Sequence, residues 1–200
     1  MKIGLDFDNT IVRYDDVFYR VALEQGLIPA NTPISKVSVR DYLRSVGKEA
    51  YWTEMQGYVY GSRMDDVQPF SNVIETLSAA RDAGWELFIV SHKTRHPFMG
   101  PKYDLHEAAR NWILTHLVVD GEPLIGSDSI NFREQKDSKV ERVNELGCDV
   151  FLDDLPEILN ATNFSDSIRG VLFDPDDHHT DFTSAKRVRS WFEFKEFLEI

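Results

Sequence analysis

Cysteine is almost absent from this sequence, with Cys148 the only one among 200 residues. A single thiol excludes an internal disulfide framework. Its setting in Leu146-Gly147-Cys148-Asp149-Val150, just ahead of an apolar run, predicts a buried thiol with a structural role. Long apolar stretches are missing as well. No run of about 18 apolar residues occurs, and the first residues carry no signal-like apolar region, so a cytoplasmic chain is expected. Positive charge is scarce, 22 Lys and Arg against 34 Asp and Glu, for a formal charge of -12. That balance argues against nucleic acid polymers and anionic membranes as partners, because both reward a basic surface. It still admits a small phosphorylated substrate, provided that the site itself is locally positive. Internal repeats and low-complexity segments are absent too.

What is present belongs to a globular protein, with 42% hydrophobic and 28% charged residues. The length suits one core with an inserted subdomain, or two small domains. The stretch Lys2-Ile3-Gly4-Leu5-Asp6-Phe7-Asp8-Asn9-Thr10-Ile11 reads as a buried strand running into a polar turn. From Tyr14 to about Tyr60 the apolar spacing is helical, in three segments near Tyr14–Gly26, Val39–Val46 and Glu49–Tyr60, with a turn-rich break at Pro29–Pro33. From Pro69 strands and helices alternate. A helix capped by Ser71 runs to Gly84, and the strand Trp85–Val90 follows. Next come a helix from Tyr103 to His116, a weaker strand at Ser129–Phe132 and a helix over Ser138–Leu146 closed by Gly147. Strands at Asp149–Leu152 and Gly170–Phe173 complete the pattern. Near-continuous apolar strands separated by helices predict an α/β fold with a mostly parallel, Rossmann-like sheet between layers of helices. The expected organisation is a core of residues 1–11 and 68–200 with a small helical subdomain, residues 12–67, inserted into it.

In such sheets chemistry gathers where strands end at their carboxyl edge. The polar residues there are Asp6 and Asp8, Ser91, and the pair Asp153 and Asp154. Two acids as close as Asp6 and Asp8 repel each other unless a cation lies between them or one takes up a proton. A metal is the natural resolution. Mg²⁺ is satisfied by a few carboxylates together with waters and substrate oxygens.

Asp6-x-Asp8-x-Thr10 after an N-terminal strand resembles the first motif of the haloacid dehalogenase superfamily, most of whose members are phosphatases. Ser91 after an apolar strand is similar to the second motif and Asp153-Asp154 to the fourth. The third motif is one lysine. Lys139 is preferred at the start of the helix that leads to Asp153, with Lys136 its nearby competitor. All four motifs fall in order on the expected elements, and residues 12–67 occupy the place of the family's helical cap. The resemblance implies Asp6 as nucleophile, Asp8 as general acid and base, Ser91 and Lys139 as phosphate-stabilising groups, and Mg²⁺ held by Asp6, Asp8, Asp153 and Asp154. The implied activity is hydrolysis of a small phosphate monoester such as a sugar phosphate or nucleotide. The alternatives are a dehalogenase, which in this family lacks an acid at the position of Asp8, and a noncatalytic binding module.

Substrate contacts are expected from Thr10, from His92, Lys93 and Arg95 in a basic loop, and from Trp52, Tyr58, Tyr60 and Arg63 in the helical segment. The loop His92–Lys102 holds three firm cations and two histidines without one acid. Stacking faces and a guanidinium suit a ring or a second anion. The adjacent His178 and His179, in a Pro-containing acidic loop, read as solvated residues rather than a second metal site.

Overall fold

The computed structural model describes residues Met1–Ile200. In chain order the first elements are β1 (Lys2–Leu5), β2 (Val12–Arg13), α1 (Asp15–Glu24), α2 (Lys36–Ser45), α3 (Glu49–Ser62), β3 (Gln68–Pro69), α4 (Val73–Asp82) and β4 (Glu86–His92). They are followed by α5 (Leu105–His116), β5 (Val118–Val119), β6 (Glu122–Pro123), β7 (Ile130–Arg133), α6 (Lys136–Leu146), β8 (Val150–Asp153), α7 (Pro156–Leu159), β9 (Arg169–Phe173), β10 (Lys186–Val188) and α8 (Trp191–Leu198). No helix is long and apolar enough to cross a membrane.

The chain divides into two compact units. The first comprises Met1–Val12, Pro69–Lys93 and Ile113–Ile200, and the second comprises Arg13–Gln68 and Thr94–Trp112. The first unit carries a six-stranded sheet in the order β10-β9-β8-β1-β4-β7, with every neighbouring pair parallel. This is the expected α/β, Rossmann-like architecture. The central position of β1 follows from its sequence. Ile3 and Leu5 are fully buried, and Gly4 lets a neighbouring strand come close: a Cβ there would lie 2.7 Å from the Phe151 ring and 2.9 Å from Cys148 Sγ. Behind this strand lies a cluster of Val90, Val140, Val143, Phe151, Ile158 and Leu172, and Cys148 packs within it as a buried free thiol. Helix α6 stops at Gly147, whose left-handed φ of 64° costs a glycine little.

Several element ends differ from expectation. Helix α4 starts after Asn72, itself left-handed at φ 67°, and no side chain caps it, so Ser71 lies just outside. Helix α2 begins earlier, at Lys36, because the Ser35 side chain accepts from the amides of Val37 and Ser38. The strand expected to end at Val90 continues through Ser91 and His92, paired with Phe132 and Arg133 of β7. The edge strand β10 and the C-terminal helix α8 add to what periodicity indicated.

The second unit has its own core. Phe18 packs against Trp52 at 5.0 Å and against Tyr60 at 5.6 Å between ring centroids, while Tyr14 meets Tyr60 edge-on at 4.9 Å. The segment Thr94–Trp112, expected to belong with the α/β core, groups with these helices instead. The reason is local to α3. Gly57 and Gly61 stand four residues apart on one helix face. A Cβ at Gly57 would come within 2.6 Å of Pro97, and one at Gly61 would clash with Tyr103. Two missing side chains thus admit the loop against the helix backbone.

Gly57→Ala and Gly61→Ala should each lower stability by about 1–3 kcal/mol through overpacking. Gly126→Ala, at an open position with φ −70°, should stay within about 0.5 kcal/mol of the parent. Urea midpoints of the three variants check this.

Candidate active site

Strand β1 lies between β4 and β8, so the carboxyl ends of all three strands share one edge. The Asp6 amide continues the ladder just past β1 by donating to the Leu152 carbonyl at 2.9 Å. Its side chain is held at a fixed angle by two donors on one oxygen. Oδ1 accepts from Ser91 Oγ at 2.8 Å and from Lys139 Nζ at 2.6 Å, while Oδ2 takes a long 3.4 Å contact from Thr10 Oγ1. The same ammonium lies 2.6 Å from Asp153 Oδ2. Lys139 stands in the first turn of α6 and is 1% exposed. Lys136, one turn earlier, is at the surface in an ion pair with Glu157.

A buried ammonium between two buried carboxylates is one positive charge short. Burial alone would lower the Lys139 pKa, but Asp153 and Asp6 outweigh it and hold the group above its ordinary value. Burial pushes the Asp153 carboxyl up to about 7, with Asp6 adding to the rise and Lys139 and the Leu155 amide opposing it. Asp153 Oδ2 is close to Lys139 yet accepts no hydrogen bond in line. Carboxylate oxygens of Asp6, Asp153 and Asp154 lie within 4.8 Å of one another. A hard divalent cation fits this donor set, because it supplies the missing charge and prefers oxygen.

Asp8 stands apart from that cluster, although it was expected among the metal ligands. The chain turns at Asn9, which is left-handed at φ 59°, and the Asp8 carboxylate is engaged instead by Lys93, with Oδ2 and Nζ 2.7 Å apart. Asn9 reaches across to Asp154, its Nδ2 donating to Oδ2 at 3.4 Å. Thr10 is fully buried, and its carbonyl accepts from Trp191 Nε1 at 2.9 Å.

The basic loop splits where the two units divide. Lys93 is buried in the first unit, and its amide donates to the Arg133 carbonyl at 2.8 Å. His92 Nε2 lies 3.2 Å from the Glu134 carbonyl oxygen, and burial lowers its pKa. Arg95, in the second unit, pairs with Asp104 at 3.0 Å. In the helical segment Arg63 is taken up by the carboxylates of Glu24 and Asp66 and lies 5.9 Å from the Tyr58 ring. Trp52 is buried against Phe18, and Tyr60 joins Tyr14 and Phe18 around the Lys36 ammonium. Packing within the unit thus uses residues whose composition suggested ligand contacts.

No family model and no curated protein matches the sequence. Solved structures do. A predicted phosphatase from Clostridium acetobutylicum superposes with a TM-score of 0.61 at 13% identity, covering 100% of this chain and 98% of that one. A HAD family hydrolase from Deinococcus radiodurans with bound phosphate and sodium gives 0.58 at 17% identity, covering 98% and 94%. A predicted phosphoglycolate phosphatase from Haemophilus somnus gives 0.54 at 17%, covering 98% and 96%. The chain has the haloacid dehalogenase fold.

Within the haloacid dehalogenase fold the two candidate lysines separate energetically. Lys139→Met leaves Asp6 and Asp153 buried without their counter-charge and should cost about 3–5 kcal/mol of stability in metal-free protein. Added Mg²⁺ should recover part of that loss. Lys136→Ala removes one surface ion pair and should change stability by about 0–1 kcal/mol. Thermal melts with EDTA and with Mg²⁺ measure both.

Proposed function

We propose that the chain is a Mg²⁺-dependent phosphatase that hydrolyses a small phosphate monoester through an aspartyl-phosphate on Asp6. The observation that carries this reading is the convergence on Asp6 of Ser91 and Lys139, with Asp153 and Asp154 beside it. Two donors on Asp6 Oδ1 fix the carboxylate and leave Oδ2, the less encumbered oxygen, as the one to attack phosphorus. Phosphatase descriptions among the similar structures support the same reading.

In the first step a carboxylate oxygen of Asp6 forms a bond to phosphorus while the ester P–O bond breaks, and Asp8 delivers a proton to the departing oxygen. In the second step water attacks the same phosphorus, Asp8 takes the proton of that water, and the P–O bond to Asp6 breaks to restore the carboxylate. The Ser91 hydroxyl and the Lys139 ammonium lie where charge builds up on the transferring group, and such preorganised donors supply much of catalysis of this kind. Asp6, Asp153 and Asp154 would hold the Mg²⁺ ion, which when bound offsets phosphoryl charge. An acid at Asp8 favours this chemistry over dehalogenation, whose halide leaving group needs no proton. We assign substrate selection to the second unit, in the role of a helical cap.

Purified protein should release phosphate from p-nitrophenyl phosphate, lose that activity in EDTA and regain it with Mg²⁺. Asp6→Asn, nearly isosteric but a poor nucleophile, should leave less than about one part in a hundred of the rate with the melting curve still cooperative. Turnover by Asp6→Asn within tenfold of the parent would remove Asp6 as nucleophile.

A further inference from the structure

Lys93 is the second buried ammonium at the carboxyl edge of the sheet, with its side chain 3% exposed, and it faces Asp8 rather than Asp6 or Asp153. Its place follows from strand geometry. In an extended chain residues i and i+2 point to the same side. Ser91 and Lys93 hold that relation at the end of β4, and the Lys93 amide keeps the extended path by donating to Arg133 of the neighbouring strand. Asp6 and Asp8 have the same spacing just past the end of β1, which pairs with β4 in parallel. The strand ends therefore meet in two successive rungs. Ser91 donates to Asp6 at 2.8 Å, and two residues further on Lys93 pairs with Asp8 at 2.7 Å.

The two rungs differ in what they leave mobile. Asp6 is gripped by two donors on a single oxygen and is 4% exposed. The Asp8 side chain is 20% exposed, and its residue stands just before the turn at Asn9, at an isolated bridge to Val12. A partly exposed carboxylate at the edge of a turn has several rotamers open to it, and a proton donor is useful only in the one that reaches the leaving oxygen. The Lys93 stem is fixed by burial, and its ammonium lies 6.0 Å from the Phe7 ring centroid. Its charge therefore sits at a defined point and selects the Asp8 rotamer.

We propose that Lys93 is a positioning residue that orients the Asp8 carboxylate for proton transfer to and from the transferring group's oxygens. It does so through Asp8 and does not itself bind the substrate. This inference rests on the phosphatase reading above and deepens it, since it makes protonation of the leaving group depend on a lysine outside the four sequence motifs.

The test is a double-mutant cycle of Lys93→Met and Asp8→Asn, read on two substrates. An alkyl phosphate needs its leaving oxygen protonated, whereas p-nitrophenolate leaves with little help. Lys93→Met should lower kcat on the alkyl ester by on the order of 10- to 100-fold, lower it clearly less on p-nitrophenyl phosphate, and leave KM within about threefold on both. Added to Asp8→Asn it should lower kcat by less than about threefold further, because the two residues act as a unit. Lys93→Arg should restore part of the alkyl-ester rate.

Multiplicative losses in the double variant, or a raised KM with kcat unchanged, would overturn the proposal and return Lys93 to a structural or substrate-binding role. The melting temperatures of the same four proteins form a second cycle that needs no turnover. Coupled shifts there support the Lys93–Asp8 pair, and additive shifts refute it. A parent that releases no phosphate with Mg²⁺ from any ester refutes the phosphatase reading, and the pair is then judged on the melting cycle.

Discussion

The ammonium of Lys139, caught between Asp6 and Asp153, is the contact on which the site depends. Its three charged groups come from α6, from the residue just past β1 and from β8, and Asp6 and Lys139 are 133 residues apart in the chain. All three are buried to 4% exposure or less. Charges so far from water are tolerated only when paired and hydrogen-bonded, so the strand ends and the start of α6 have little freedom to move apart. Parallel strands place their carboxyl ends at a single edge, and each crossover helix returns the chain to begin the next strand from the other side. The acids therefore meet because of topology, and the lysine makes the meeting tolerable.

The arrangement is layered. Beside the Lys139 cluster is the pair of Asp8 and Lys93, so that Asp6, Asp8 and Asp153 pair with two ammonium groups and Asp154 adds a further carboxylate. The excess of negative charge suits a divalent cation, and on the proposed phosphatase reading Lys139 and Ser91 are the groups left to meet a phosphoryl group. In a chain with a net charge of −12, two of the 22 Lys and Arg, Lys93 and Lys139, are buried beside these acids. The second unit spends its aromatic residues differently. Tyr14, Phe18 and Tyr60 surround the Lys36 ammonium with ring centroids at 5.6–5.7 Å, and Trp52 closes against Phe18. A helical subdomain this small needs such large side chains simply to hold a core.

Much of this was legible in one dimension. Alternation of apolar strands and helices indicated the parallel sheet, and the acids at the ends of β1 and β8 with the serine near the end of β4 marked the edge where these side chains gather. The lysine could not be chosen by spacing, since Lys136 and Lys139 lie in one short run. Burial separates them, placing the first at the surface with Glu157 and the second beneath the sheet edge. The i, i+2 relation of Ser91 and Lys93 was a readable signal for a second buried lysine. It was obscured because the strand was expected to stop at Val90, which put Lys93 in a basic loop of expected substrate contacts. Arg63 and Trp52 show the converse. Stacking and ion pairing look alike in composition whether the partner is a ligand or the protein itself, and here Glu24, Asp66 and Phe18 are the partners.

The sequence by itself determined the local events. Apolar period selects strand or helix, Gly4 and Gly147 permit a close strand and a helix stop, and the acids follow their strands at the correct places. These are properties of neighbouring residues and need no knowledge of the rest of the chain. Tertiary structure alone decided which charges pair and which segments group together. Asp8 went to Lys93 and not to the carboxylate cluster, and Thr94–Trp112 joined the helical unit because Gly57 and Gly61 clear a path for Pro97 and Tyr103. The physical reason is that desolvation and close packing depend on what lies within a few ångströms in space, and distance along the chain does not report it.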